Sequence, residues 1–261
     1  MEADTESAGA HLARYYDLDL AAETDDVDFY LALTARGNQQ VLELGCGSGR
    51  LAIPIAQAGN SVVGVDKDAA MLARARTKWA AASGPVGSSL ELIEADLLSF
   101  RDDRRFDLVI LALNMLPGLH GRDAQAQALA VAAQHTKRGG HVVLDASLPS
   151  PADVSGWDGT LSLAWQRTDP DAGDIVAKTW STEYDHVNQV ATVTTYFDSW
   201  PAAGGALRRL ARRDELHLLT ATELRLLVEK AGLGIDQAGG DYAMSPLGVG
   251  SERAVLVCSL L

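Results

Sequence analysis

Cysteine is scarce. The 261 residues hold two, Cys46 and Cys258, with no metal-ligand spacing between them, which points to a reducing, intracellular compartment and gives no metal site to expect. Positive charge is also short, with 22 Lys and Arg against 35 Asp and Glu and a formal net charge of −13. Nucleic-acid binding depends on Lys and Arg displacing counterions, so a phosphate-covered partner is disfavoured and a small molecule favoured. No apolar run is long enough to span a bilayer, and the most apolar stretch, Phe106 to Leu116, carries Asp107 and Asn114. The opening MEADTESAGAH has neither a basic region nor an apolar core and is not read as a signal peptide. No repeat or linker divides the chain. Its 47% apolar content supplies the core of one large α/β domain, with or without an insertion.

What is present centres on VLELGCGSGR, Val41 to Arg50. An apolar strand pattern runs into Gly45, Gly47 and Gly49 and then into the helical pattern LAIPIAQAG. Alternating glycines accept positive φ and leave no Cβ in the way, so backbone and ligand approach closely. A dinucleotide loop wants G-x-G-x-x-G, and here Arg50 stands where the third glycine belongs. Glu43, two residues before Gly45, would repel a pyrophosphate but attract an ammonium or sulfonium. The loop suits a ligand with an amino-acid end.

ELGCGSGR followed by VVGVD at Val62 to Asp66 resembles the first two motifs of class I methyltransferases that use S-adenosylmethionine. That resemblance implies that Glu43 and the loop Gly45, Cys46, Gly47 and Gly49 hold the methionine end of the cofactor and that Asp66 takes the ribose hydroxyls. It further implies that Lys67 and Met71 flank the adenine, that Asp96 accepts from its amino group with the Leu97 amide facing the ring, and that Leu111 ends the strand beside the cofactor. A Tyr-Asp pair before the first strand, Tyr16-Asp17, resembles the lid of small-molecule members; Tyr16 would then touch cofactor or substrate. The fold implied is α/β, a Rossmann-like seven-stranded sheet with a terminal antiparallel strand pair.

The remaining segments follow from pattern. Residues 1–37 read as a tail (Met1 to Gly9) and lid helices, 38–150 as the cofactor-binding core, 151–216 as an insert and 217–261 as completion of the core. The strands expected in the insert are Leu161–Gln166, Ile175–Tyr184, Val190–Phe197 and Glu215–Leu219, an antiparallel meander one face of which needs a substrate pocket or a second subunit. A homodimer through that sheet is the corresponding expectation. Ser83 to Ser89 reads as a turn-rich loop, Lys137 to Gly140 as a helix termination, and Thr220-x-x-Glu223 as a capping box.

Asn114 and His120 follow the fourth strand, where ligands of open sheets bind, and with Tyr16 they are the candidate catalytic residues. Asp145 and His217 are further candidate bases. The expected reaction is methyl transfer to nitrogen or oxygen of a small metabolite in the cytoplasm; the resemblance extends to enzymes acting on amino sugars and natural products. Two alternatives are a cofactor-binding protein that transfers no methyl, and an NAD-dependent oxidoreductase, against which Arg50 argues.

Overall fold

A computed structural model describes residues 7–82 and 89–261. The expected tail lies partly, and the loop at 83–89 almost wholly, outside the described residues. Two helices, α1 (Ala8–Leu20) and α2 (Asp25–Leu33), lead into β1 (Gln40–Leu44), α3 (Ala52–Gln57), β2 (Ser61–Asp66), α4 (Ala69–Ala81), β3 (Ser89–Glu94), β4 (Phe106–Leu111), α5 (Gly121–His135) and β5 (Thr136–Ser147). A short α6 (Pro151–Ser155) precedes β6 (Ser162–Thr168), β7 (Asp174–Asp185), β8 (Val190–Pro201) and β9 (Arg208–His217). Then α7 (Ala221–Lys230), β10 (Leu233–Gly239) and β11 (Arg253–Leu260) close the chain. Ser7 caps α1 through the Ala10 amide at 3.2 Å, so the helix starts inside the stretch expected to be tail. Among the described residues, no helix is long and apolar enough to cross a membrane.

Seven strands form one sheet in the order β10-β11-β5-β4-β1-β2-β3, with β11 antiparallel to its neighbours β10 and β5 and the other pairs parallel. Both faces of its central strands are covered, which is why VLEL and FDLVIL read as nearly continuous apolar runs. The order reverses between β1 and β4. Their C-terminal ends therefore diverge and open a crevice, with the glycine loop on one side and residues 112–118 on the other.

Two boundaries differ from the pattern reading. Lys137 to Gly140 belongs to β5: Phe106 pairs with Thr136 and Leu108 with His141, so a bulge absorbs the polar residues between them. A Cβ at Gly140 would stand 2.9 Å from the carbonyl oxygens of Phe106 and Asp107, which makes glycine necessary there. Strand β9 begins at Arg208 rather than Glu215, because an edge strand carries charge on its water-facing side without leaving the sheet.

The second sheet, β6-β7-β8-β9, is fully antiparallel. Its inner face presents Val176 and Phe197 to Tyr15 and Leu18 of α1, with Trp165 and Leu210 alongside. The outer face carries Thr179, Ser181 and Glu183 opposite Tyr196, Thr194 and Thr192. Only one face thus needs a cover, and helix α1 supplies much of it. Trp165 Nε1 donates to Asp19 at 2.7 Å, Lys178 pairs with the same carboxylate, and Arg167 donates to the Leu18 and Asp19 carbonyls that end the helix.

Candidate active site

Each glycine of the loop is in the left-handed region: φ is +86° at Gly45, +52° at Gly47 and +77° at Gly49. A Cβ on Gly45 would run into Met115, and one on Gly47 would sit 3.0 Å from Met71 Cε. The loop amides are mostly engaged within the protein, Gly45 and Cys46 donating to the Val65 carbonyl (2.7 and 3.0 Å) and Gly47 to Asp66 Oδ2 (2.8 Å). What the glycines provide is close approach, with few free donors. Asp66 also accepts from the Asp68 amide at 2.8 Å and so stands at the loop, half-buried.

Glu43 is 4% exposed, and its Oε2 is buried without a hydrogen-bond partner. Burial pushes its pKa up to about 8, against the opposing Ala52 amide and with Asp66 adding to the rise. An acid held neutral by burial beside an open loop is poised for a cation. Arg50 is turned away, bound through both guanidinium nitrogens to Asp26, a contact that pins α2 to the loop.

Three consecutive residues of α1 face three ways. Tyr15 packs into the second sheet. Tyr16 lies in the field of Arg50, Glu43, Asp17 and Asp26, and its phenol is pushed well above its usual pKa, chiefly by burial. Asp17 bonds Ser48 of the glycine loop, Arg74 and, at 3.1 Å, Lys78. Helix α1 is therefore tied to the glycine loop and the second sheet at once.

The other expected residues divide by what their side chains do. Met71 is half-buried beside Gly47, Leu97 is half-buried against the main core, and Lys67 is exposed. Asp96 is exposed and accepts from the Leu98 amide at 2.8 Å, a turn cap that leaves one oxygen free. Cys46 and Leu111 point into the core, so only their backbones border the crevice. A Cβ on Gly64 would come within 2.8 Å of Cys46 Sγ.

Between β4, β5 and the inner face of the second sheet lies a cavity of about 180 Å³, walled by Asn114, Pro117, Ser147, Pro149, Trp157 and Trp180. Thr182, Ala191, Val193, Leu216 and Leu218 complete it. Asn114 is brought there. His120 is not: its side chain is 77% exposed and pairs with Glu215 at 3.3 Å, on the face of β9 opposite to Leu216. His217 shares that face, its ring 4.8 Å from that of His120. Asp145 is not free to act as a base either. It is fully buried, binds Arg253 at 2.6 Å, and accepts from the amides of Leu113 (2.8 Å) and Asn114 (3.3 Å) and from the Tyr30 hydroxyl (3.4 Å). A wider, polar depression lined by Arg101, Asp102, Arg105 and His135 lies at the opposite end of the parallel strands, away from this crevice.

Residues 41–140 match a family described as "Methyltransferase domain". The chain is 26% identical over 217 residues, 83% of its length and 81% of the relative's, to a cypemycin N-terminal methyltransferase of Streptomyces. The CcbJ methyltransferase of Streptomyces caelestis superposes with a TM-score of 0.72 at 25% identity, covering 91% of this chain and 89% of that one. The chain is a methyltransferase that uses S-adenosylmethionine. A methyltransferase of Clostridium acetobutylicum shares the fold over its full length, with a TM-score of 0.77 at 18% identity, covering 97% and 99%.

The residues of this methyltransferase fit that cofactor. A buried, unpartnered carboxylate oxygen above three left-handed glycines suits an ammonium, and the acid at the end of β2 suits a diol. Two roles escaped the sequence reading: Arg50 registered only as a missing glycine, and Asp145 as a candidate base rather than as the acceptor for the amides of residues 113 and 114. Thr182 was not singled out, although the alternation in IVAKTWSTEY places it on one face with Trp180.

Proposed function

We propose that this enzyme transfers the methyl group of S-adenosylmethionine to the nitrogen of a small, uncharged amine seated in the Asn114–Trp180 cavity. The observation that carries the reading is the lining itself: among the described residues that wall the cavity, none is titratable. A hydroxyl nucleophile needs a base within hydrogen-bond reach, whereas an amine that arrives neutral brings its own lone pair. Of the candidate bases, Asp145 is engaged with Arg253 and two amides and His120 with Glu215, while His217 lies on the face of β9 opposite to Leu216 and does not wall the cavity. The relative named for methylating an N-terminus acts, by that name, on an amine.

In this reading Glu43 holds the cofactor's ammonium, Asp66 its ribose, and Met71 and Leu97 pack beside its adenine. When bound, the cofactor supplies an electrophilic methyl on a sulfonium. The protein then has to align and to exclude water, and bringing the reacting atoms to about 3–3.5 Å supplies most of the catalysis. Asn114 is fixed for that task by its two bonds to Ser147, and Trp157 and Trp180 wall the cavity beside it. Tyr16 covers the loop side. The compartment proposed is the cytoplasm, which two free, buried cysteines favour. A homodimer would form along the β6 edge, where Leu161 and Leu163 are exposed, because the outer face of that sheet is polar.

Matched pairs of small amines and alcohols on one carbon skeleton test the reading, with product mass and S-adenosylhomocysteine as readouts. The amines should gain a methyl group and the alcohols should not. Methylation of the alcohols at rates equal to the amines would contradict the proposal.

A further inference from the structure

The polar side chains of the cavity wall are not equally occupied. Asn114 and Ser147 satisfy each other: Asn114 Nδ2 donates to Ser147 Oγ at 2.8 Å, and the Ser147 amide donates to Asn114 Oδ1 at 2.6 Å. Thr182 differs. It is 5% exposed, and its hydroxyl is buried with no hydrogen-bond partner, although its carbonyl accepts from the Gly159 amide at 2.9 Å. It lies two residues along β7 from Trp180 and directly across from Val193, both of which wall the same cavity. An unpaired buried hydroxyl costs stability, and valine has nearly the same shape without that cost. Packing alone therefore gives no reason for threonine here.

We propose that Thr182 is a specificity-determining residue whose hydroxyl pairs with a second, uncharged polar group of the acceptor. This rests on the amine reading above and narrows it: the substrate class is a small amine that also bears one hydroxyl or carbonyl oxygen. The amine nitrogen faces the Asn114 end, at the mouth of the crevice between β1 and β4. The oxygen faces β7. Between them Trp157, Trp180, Leu216 and Leu218 offer only apolar contact, so the intervening skeleton is hydrocarbon. A charged substituent in place of the oxygen would find no counter-charge among the described lining residues. The volume, about 180 Å³, is below the roughly 300 Å³ at which pockets for drug-sized ligands begin, and suits one small ring.

Thr182→Val and Thr182→Ser separate this role from a structural one. Thermal unfolding should show Thr182→Val at least as stable as the parent, since a buried group with no partner has been removed. A fall in its midpoint would mean that the hydroxyl holds the fold and would overturn the proposal. Binding is read from tryptophan fluorescence of the S-adenosylhomocysteine complex titrated with trans-4-aminocyclohexanol and with cyclohexylamine. The parent should prefer the hydroxylated amine by about tenfold, in the range of one hydrogen bond to a buried group. Thr182→Val should lose that preference and Thr182→Ser retain it. Equal affinities in the parent, or a preference surviving in Thr182→Val, would overturn the role of Thr182 and leave the amine reading standing. Binding of neither amine would instead contradict the amine reading itself.

Discussion

Asp145→Ala should destabilise the protein by about 3 kcal/mol, read as a lower denaturant midpoint, because it strips partners from several groups at once. Arg253 loses the carboxylate at 2.6 Å, and the Leu113 and Asn114 amides lose their acceptor. Those two residues have φ of +54° and +61°, a left-handed pair that side chains other than glycine disfavour. Asp145 is what holds them. Its pKa is raised, chiefly by burial, with Arg253 and the two amides opposing part of that rise. Arg253 is a quarter exposed and can turn toward water, which keeps the expected loss near the lower end of the range for a broken buried pair. Since Asn114 walls the cavity, methyl transfer should fall along with stability. A loss below about 1 kcal/mol, the worth of one ordinary hydrogen bond, would show that the carboxylate does not clamp this turn.

Tyr15→Ala should be at least as costly, about 3–5 kcal/mol, the range for deleting a buried aromatic ring. Tyr15 is 1% exposed, its ring centroid is 5.4 Å from that of Phe197, and Leu18 and Val176 close the cluster. The consequence reaches the cofactor, since Tyr16 and Asp17 ride on the same helix and Asp17 bonds Ser48, Arg74 and Lys78. Affinity for S-adenosylmethionine, measured well below the unfolding transition, should fall as well. A destabilised variant with unchanged cofactor affinity would mean that α1 does not couple the second sheet to the loop.

How much of this was legible in the sequence depended on whether the signal was local. The glycine loop was readable because strand, turn and helix start follow one another within ten residues and Glu43 lies in the same phrase. Both sheets were readable as alternating or continuous apolar runs. Asp145 was not, because its meaning lies in Arg253, 108 residues away, and in the backbone angles of Leu113 and Asn114. Arg50 likewise acquires its role from Asp26. His120 looked well placed by its position after β4, but as the residue preceding α5 it projects to Glu215 and away from the cavity. The strand at Arg208 was hidden by its own charges. An edge strand needs no apolar outer face, so its pattern resembles a loop.

The most direct test is calorimetric titration with S-adenosylmethionine between pH 5.5 and 7.5, in buffers of different ionisation enthalpy, for the parent, Glu43→Gln and Asp66→Ala. Free Glu43 holds its proton up to about pH 8, and a bound ammonium favours the carboxylate. Binding should therefore release a proton, and affinity should rise with pH over this range, where the cofactor's own amine, with a pKa of about 7.7–8.0, remains largely charged. Glu43→Gln should abolish the release, and Asp66→Ala should weaken binding by about 1–3 kcal/mol. Tight binding that releases no proton, ignores pH and survives both substitutions would place the cofactor somewhere other than the loop between Glu43 and Asp66.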